Sequence, residues 1–264
     1  NGPVRAALYV KKAVSNSMIE QTIYFYADEP RIDFDTHVDW KDYQQLLKVH
    51  FPVDIHTDEA TFDIQFGNLT RKTHKNTSWD IARFETCGHK WMDVSEGGYG
   101  VSILNDCKYG HSVDHSDIGL TLIKSGIEPN PTTDQEDHYF TYAIYPHAGT
   151  WREANTLQEG YDLNQPVLAV NGTAQNSEYS FISCDKNNVM LETVKPAEDG
   201  NGIIIRVIEE KNTKTKAKLH FAQEVKSVCE CDLMENKVAD MCADGRDVCI
   251  TIAPYEIKTY RVNF

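Results

Sequence analysis

An all-β fold built from antiparallel sandwiches is what this chain predicts, and three observations carry the prediction. Apolar and polar side chains alternate with period two along much of its length. Clusters of Gly, Pro, Asn and Asp separate the alternating stretches. The best helical candidate, Asp42–Leu47, is short and runs straight into one of them.

The elements follow in order. From Arg31 to Trp40 the apolar side chains Ile32, Phe34, Val38 and Trp40 share one parity and the polar Arg31, Asp33, Asp35, His37 and Asp39 the other, the pattern of a half-buried strand. Leu47, Val49, Phe51, Val53 and Ile55 repeat it, with Pro52 on the polar parity as suits an edge or a bulge. Phe62, Ile64 and Phe66 repeat it again. Further strands are expected at Tyr9–Val14, Thr22–Tyr26, Gly100–Leu104, Leu120–Ile123, His138–Tyr145, Ile203–Ile208 and Val248–Ile252. Periodic signal fades over 156–177, so a large β domain over 1–165 and a small terminal sandwich over 176–264 are expected.

Composition excludes several functions. A formal charge of −14 repels phosphate backbones and anionic lipid, which argues against nucleic acid and membrane partners, and no run approaches the roughly 20 apolar residues of a membrane span. Lys211, Lys214, Lys216 and Lys218 alternate with Thr and Ala as one solvated strand face would. Seven scattered cysteines fit reduced thiols in the cytoplasm better than a disulfide framework. The chain opens Asn1-Gly2-Pro3 without an initiator methionine and reads as a fragment.

Candidate chemistry is sparse. His111, Asp114, His115 and Asp117 are metal-ligand types at short spacing, though a polar mobile loop explains them as well. Cys229, Cys231, Cys242 and Cys249 number four thiols, but a single intervening residue suits strand alternation better than a zinc site. No phosphate-cradling Gly-rich loop and no nucleophile elbow is present.

The densest run of unusual residues is CGHKWMDVSEGGYGVSILNDCKYG (Cys87–Gly110). It resembles the post-catalytic signature of glycoside hydrolase family 38 α-mannosidases of the bacterial and cytosolic type. VDWKDYQQLLKVHFPVDI (Val38–Ile55), ATFDIQFGNLTRKTHKNTSWD (Ala60–Asp80), HYFTYAIYPHAGTW (His138–Trp151) and APYEIKTYRV (Ala253–Val262) resemble further blocks of that region in the same order. The resemblance implies a galactose mutarotase-like supersandwich followed by a small C-terminal sandwich. It also implies a parent enzyme that removes terminal α-linked mannose from oligosaccharides with retention, through an aspartate nucleophile and an acid/base carboxyl. Retention places those two groups about 5–5.5 Å apart.

The family's nucleophile and zinc belong to an N-terminal catalytic domain for which this chain has no matching segment. The implied zinc therefore lies outside it, the implied partner is that catalytic domain, and no catalytic residue carries over. What the resemblance does offer is a loop, Asn105-Asp106-Cys107-Lys108-Tyr109-Gly110, facing the leaving-group side of the sugar. Asp106, Lys108 and Tyr109 are the expected substrate contacts, with Asn105 beside them; an exposed Asp106–Lys108 pair flanking a turn is the plainer reading. His89, Trp91 and Asp93 share a parity and would point one way if extended, although core packing accounts for Trp91 equally well. Three other readings stand beside the enzyme part: a carbohydrate-binding module without catalysis, a structural part whose sheet edges serve homo-oligomerisation, and a mutarotase-like activity argued from architecture alone.

Overall fold

The computed structural model describes residues 2–174 and 176–264. They divide into two compact units, residues 1–168 and 169–264.

In the first unit the chain runs through β1 (Arg5–Val14), β2 (Ser17–Tyr26), β3 (Ile32–Asp39), β4 (Leu46–Pro52), β5 (Glu59–Ile64), β6 (Gly67–Lys72), the one-turn helix α1 (Ser78–Ala82), β7 (Thr86–Cys87), β8 (Trp91–Ser95), β9 (Tyr99–Asn105), β10 (Gly110–Asp114), β11 (Asp117–Lys124), β12 (Asp137–Ala148) and helix α2 (Thr156–Asn164). The larger sheet has the order β1-β2-β3-β12-β9-β8-β5-β6 and the smaller β4-β11-β10-β7. Their ladders are antiparallel. Pro52 ends β4, an edge strand, where a missing N–H costs the sheet little.

Alternation builds the core. Val38 of β3, Phe62 of β5, Met92 and Val94 of β8, Val101 and Ile103 of β9, and Phe140 and Tyr142 of β12 come from the large sheet and meet Ile118, Leu120 and Leu122 of β11 in one buried cluster. The same strands bury their other parity too. Trp91, Leu104, Ala143 and Tyr145 form a second cluster with Trp151 and with Leu157 of α2. The middle of the large sheet is therefore covered on both faces.

Four local expectations are corrected. Asp33 was assigned to a solvated face but is 5% exposed. Arg31 Nε donates to it at 2.9 Å, Arg31 Nη1 reaches Glu159 of α2 at 2.7 Å, and the Tyr26 hydroxyl donates to it at 2.7 Å. Phe66 does not continue β5: it sits at φ 55° in the turn to β6, 45% exposed. Residues 42–45 bend rather than form a helix, and β4 follows. The stretch around His115 is no loose loop, since β10 and β11 pair down to Asp114↔Asp117, with His115 at φ 56° between them.

The second unit contains β13 (Ile182–Cys184), β14 (Val189–Pro196), β15 (Ile203–Glu209), β16 (Thr215–Phe221), β17 (Ser227–Cys231), β18 (Lys237–Met241), β19 (Asp247–Ile252) and β20 (Ile257–Asn263). They form sheets of order β13-β16-β19 and β14-β15-β20-β17-β18 around Ile205, Val207, Leu219, Phe221, Ile250, Ile252 and Tyr260. Strand β16 alternates strictly, with Thr215, Ala217, Leu219 and Phe221 buried and Lys216, Lys218 and His220 exposed. The solvated face read from the lysines thus holds for Lys216 and Lys218, whereas Lys211 is half-buried and outside the strand. The four cysteines do not converge on one point: Cys229 and Cys231 bring their Sγ atoms to 3.8 Å on β17, but Cys249 lies on β19 of the other sheet.

Candidate functional site

The segment Asn105–Gly110 leaves the end of β9 and turns into β10. Its root is fixed by Asn105, which is fully buried. The Asn105 amide donates to the His89 carbonyl at 2.7 Å, and its side-chain oxygen accepts from the Lys108 N–H at 2.7 Å. The Asn105 carbonyl accepts from the Asn164 side chain at 2.9 Å. With every polar atom engaged, Asn105 shapes the loop and offers nothing to a ligand, so its place among the expected contacts is withdrawn.

Asp106 continues the pairing with β12. Its N–H donates to the Thr141 carbonyl at 3.1 Å, and Oδ2 accepts from the Thr141 N–H at 2.8 Å. The other oxygen, Oδ1, is buried without a partner. Lys108 lays its ammonium 4.5 Å from the centroid of Phe140, a cation–π contact that orients the chain while its charge stays near the surface. The expected Asp106–Lys108 ion pair is absent among the described residues. Tyr109 is 52% exposed and its ring lies 5.2 Å from that of His89 at 33°.

The end of β5 holds His89 in place. Asp63 of β5, buried, accepts the Lys90 N–H at 2.8 Å and the Lys90 ammonium at 3.2 Å, while its carbonyl accepts the His89 N–H at 2.9 Å. Burial pushes the Asp63 carboxyl above the usual carboxylate range despite the Lys90 charge. Lys90 in turn lies 4.6 Å from the Tyr161 ring centroid on α2.

The structure thus brings Asp106, Lys108, Tyr109 and His89 to one rim and removes two expected contacts from it. Besides Asn105, Trp91 is only 1% exposed; it packs on Trp151 with ring centroids 5.1 Å apart and faces Gly160 of α2 so closely that a Cβ there would lie 3.2 Å from its ring. It is a core residue. Asp93, on the same parity, is buried as well, accepting from His147 Nε2 at 2.7 Å and from the Ser102 hydroxyl at 2.8 Å. Asn164, Asp63, Lys90 and Phe140, which frame the loop, were missed. Asp63 and Lys90 sit in alternating runs where polar side chains read as solvated, and α2 carries little periodic signal.

One ammonium, one phenol and one imidazole can donate to and accept from hydroxyls, and the Tyr109 face can pack on an apolar ring, whereas the Asp106 oxygens face inward, Oδ2 to the Thr141 N–H and Oδ1 buried. The rim has no close acid pair, and among the described residues no three His, Cys, Asp or Glu side chains come together in a group that could hold a metal ion. The zinc that the resemblance implies does not fit these residues, and no step is routed through it.

Residues 1–132 match the model of the glycosyl hydrolases family 38 C-terminal domain, and residues 188–260 match that of the family 38 C-terminal beta sandwich domain. The chain belongs to glycosyl hydrolase family 38. Its relatives include α-mannosidase G of Dictyostelium discoideum, 38% identical over 99% of this chain, and human α-mannosidase 2C1, 36% identical over 96%. In each case the match spans 25% of the relative, so the chain corresponds to about a quarter of the length of these proteins. Among solved structures, an α-mannosidase from Enterococcus faecalis V583 superposes with a TM-score of 0.78 over 94% of this chain and 29% of its own, at 17% identity, which supports the fold. The expected family, the all-β class and the C-terminal sandwich are all borne out.

Proposed function

We propose that this chain is the C-terminal β part of a retaining α-mannosidase acting on mannose-containing oligosaccharides, and that its hydrolytic carboxylates and zinc are carried by a catalytic domain of the same polypeptide outside these residues. The observation that supports this reading most is the pair of family 38 C-terminal matches, one in each unit. The seven unpaired cysteines are consistent with a reducing compartment, and the protein is proposed to be cytoplasmic.

Within that enzyme the chain acts as scaffold and contributes Lys108, Tyr109 and His89, on a loop that Asp106 ties to β12, to the leaving-group side of the sugar. Two measurements test the division of labour. The 264-residue chain alone releases no mannose from an aryl α-mannoside, whereas the longer polypeptide carrying the same segment does so and loses activity on treatment with a zinc chelator; turnover by the isolated chain overturns the proposal. In the longer polypeptide, Tyr109→Ala lowers kcat/KM on an oligosaccharide by about tenfold, the worth of one aromatic contact, with little change on a small aryl mannoside. Equal effects on both substrates remove the loop from the leaving-group side.

The exposed Tyr109 ring favours one second reading, a module that holds mannosides without cleaving them. Calorimetry of the isolated chain with mannose oligomers separates the two, because an incomplete half-site gives no saturable heat and a module does.

A further inference from the structure

A pocket lies in the first unit, lined on one side by His111 and Ser112 of β10, just after the Asn105–Gly110 segment. It has a volume of about 260 Å³ and is bounded by β6, the 73–77 turn, α1, β7 and β10. Its walls carry five Lys and Arg against four Asp and Glu, in a chain with 26 of the former and 40 of the latter, so the pocket is a cationic spot on an acidic molecule. Most of its charges are satisfied internally: Lys48 pairs with Glu85 at 2.7 Å, Lys75 with Asp114 at 2.6 Å, and His50 with Asp117 at 2.8 Å.

Arg71 is the exception. It extends from β6 into the wall, half-buried, and its guanidinium has no hydrogen bond or ion pair among the described residues; its Nε is buried without a partner. A guanidinium always charged and partly removed from water is costly to leave unpaired, because desolvation is not offset by any acceptor. His111 lines the same pocket, fully buried, with its ring against the Gly88 backbone. Burial holds it neutral down to about pH 4, so the positive charge of the pocket comes from its Lys and Arg side chains. Phe84, 82% exposed, stands at the mouth as an apolar wall.

We propose that this pocket binds a phosphate oxyanion, free or carried as the monoester of a small sugar, with Arg71 as its principal donor. A planar guanidinium fits two oxygens of such a group in parallel, and a sugar ring would pack on Phe84. The site owes nothing to the hydrolytic reading above and stands whether or not the parent enzyme cleaves mannosides.

Titration of the 264-residue chain with inorganic phosphate, with a hexose 6-phosphate and with mannose, at constant ionic strength, tests it. Saturable binding of at least one phosphate species and none of mannose is expected. Tighter binding of the hexose phosphate assigns the monoester, and equal affinities assign the bare anion. Arg71→Gln should weaken binding by about tenfold or more, with Arg71→Lys between the two, since Lys keeps the charge and loses the fork. Amide shift mapping on the unmutated chain keeps the proposal falsifiable should the variants misfold: phosphate should move residues 71–75, 84–86 and 111–113. Absence of saturable phosphate binding, shifts confined elsewhere, or wild-type affinity in a folded Arg71→Gln overturns it.

Discussion

His111 ties the acid stability of the first unit to a single ring. Enclosure by Gly88, Phe62 and the surrounding strands lowers its pKa from an ordinary 6.5 to about 4, chiefly by desolvation, with Glu85 opposing and Lys48 assisting by their charges. The folded value lies below the unfolded one, so between pH 6.5 and 4 the unfolded chain binds the extra proton. The contribution is therefore complete above pH 6.5 and lost as pH falls through that window, by about 3 kcal/mol in all. Urea unfolding at pH 7 and pH 4 should register this drop in the wild type and a much smaller one in His111→Phe; an unchanged slope would show that other groups set it. Asp63 works in the opposite sense, since burial raises its pKa and the folded state gains as its carboxyl is protonated. Trp91 belongs to the same scale. Trp91→Ala should cost about 3–5 kcal/mol of stability by leaving a cavity under α2. A thermal melt checks this, and a melt unchanged from wild type would contradict the core assignment.

At the scale of elements, α2 explains both what the sequence revealed and what it concealed. Strands with one buried face were legible from alternation, and β3, β4, β9, β11, β12, β15 and β19 stand where the pattern placed them. Helix α2 was not, because the residues it buries are Thr156, Leu157 and Gly160, two of them too small or polar to register as an apolar stripe. Without α2 the opposite face of the large sheet looks solvated, which is why alternation alone puts Asp33 and Asp63 on a polar face and Trp91 and Asp93 among side chains that could reach a sugar. The rim was legible only in part, because exposed Tyr109 and fully buried Asn105 stand four residues apart in one turn with nothing in composition to separate them. Arg31 joins α2 to β3 through Glu159 and Asp33, with side chains only 7–14% exposed. Arg31→Met leaves two carboxylates unpaired in that setting and should destabilise the unit by about 3 kcal/mol. Hydrogen exchange would report it first as loss of protection in 156–164, whereas uniform loss across the first unit would indicate that α2 does not open separately.

For the molecule as a whole, the two units each satisfy the physical requirements of an independent domain. The second buries its own apolar set from both of its sheets, and its ladders, from β13 with β16 to β17 with β20, are formed entirely within residues 169–264. Ring contacts among Phe181, Phe221 and Phe264 fasten its two ends into the same core, so the C-terminal residue is itself a packing residue. A domain with a closed core and internal hydrogen bonding does not need its neighbour to offset the entropy of folding. Residues 169–264 produced alone should therefore give dispersed amide spectra and a single cooperative melt, and Phe264→Ala should lower its midpoint by several degrees through loss of one partly buried ring. A collapsed spectrum without cooperative unfolding would mean that the small sandwich is stable only when the larger unit is present, and that the two fold as one.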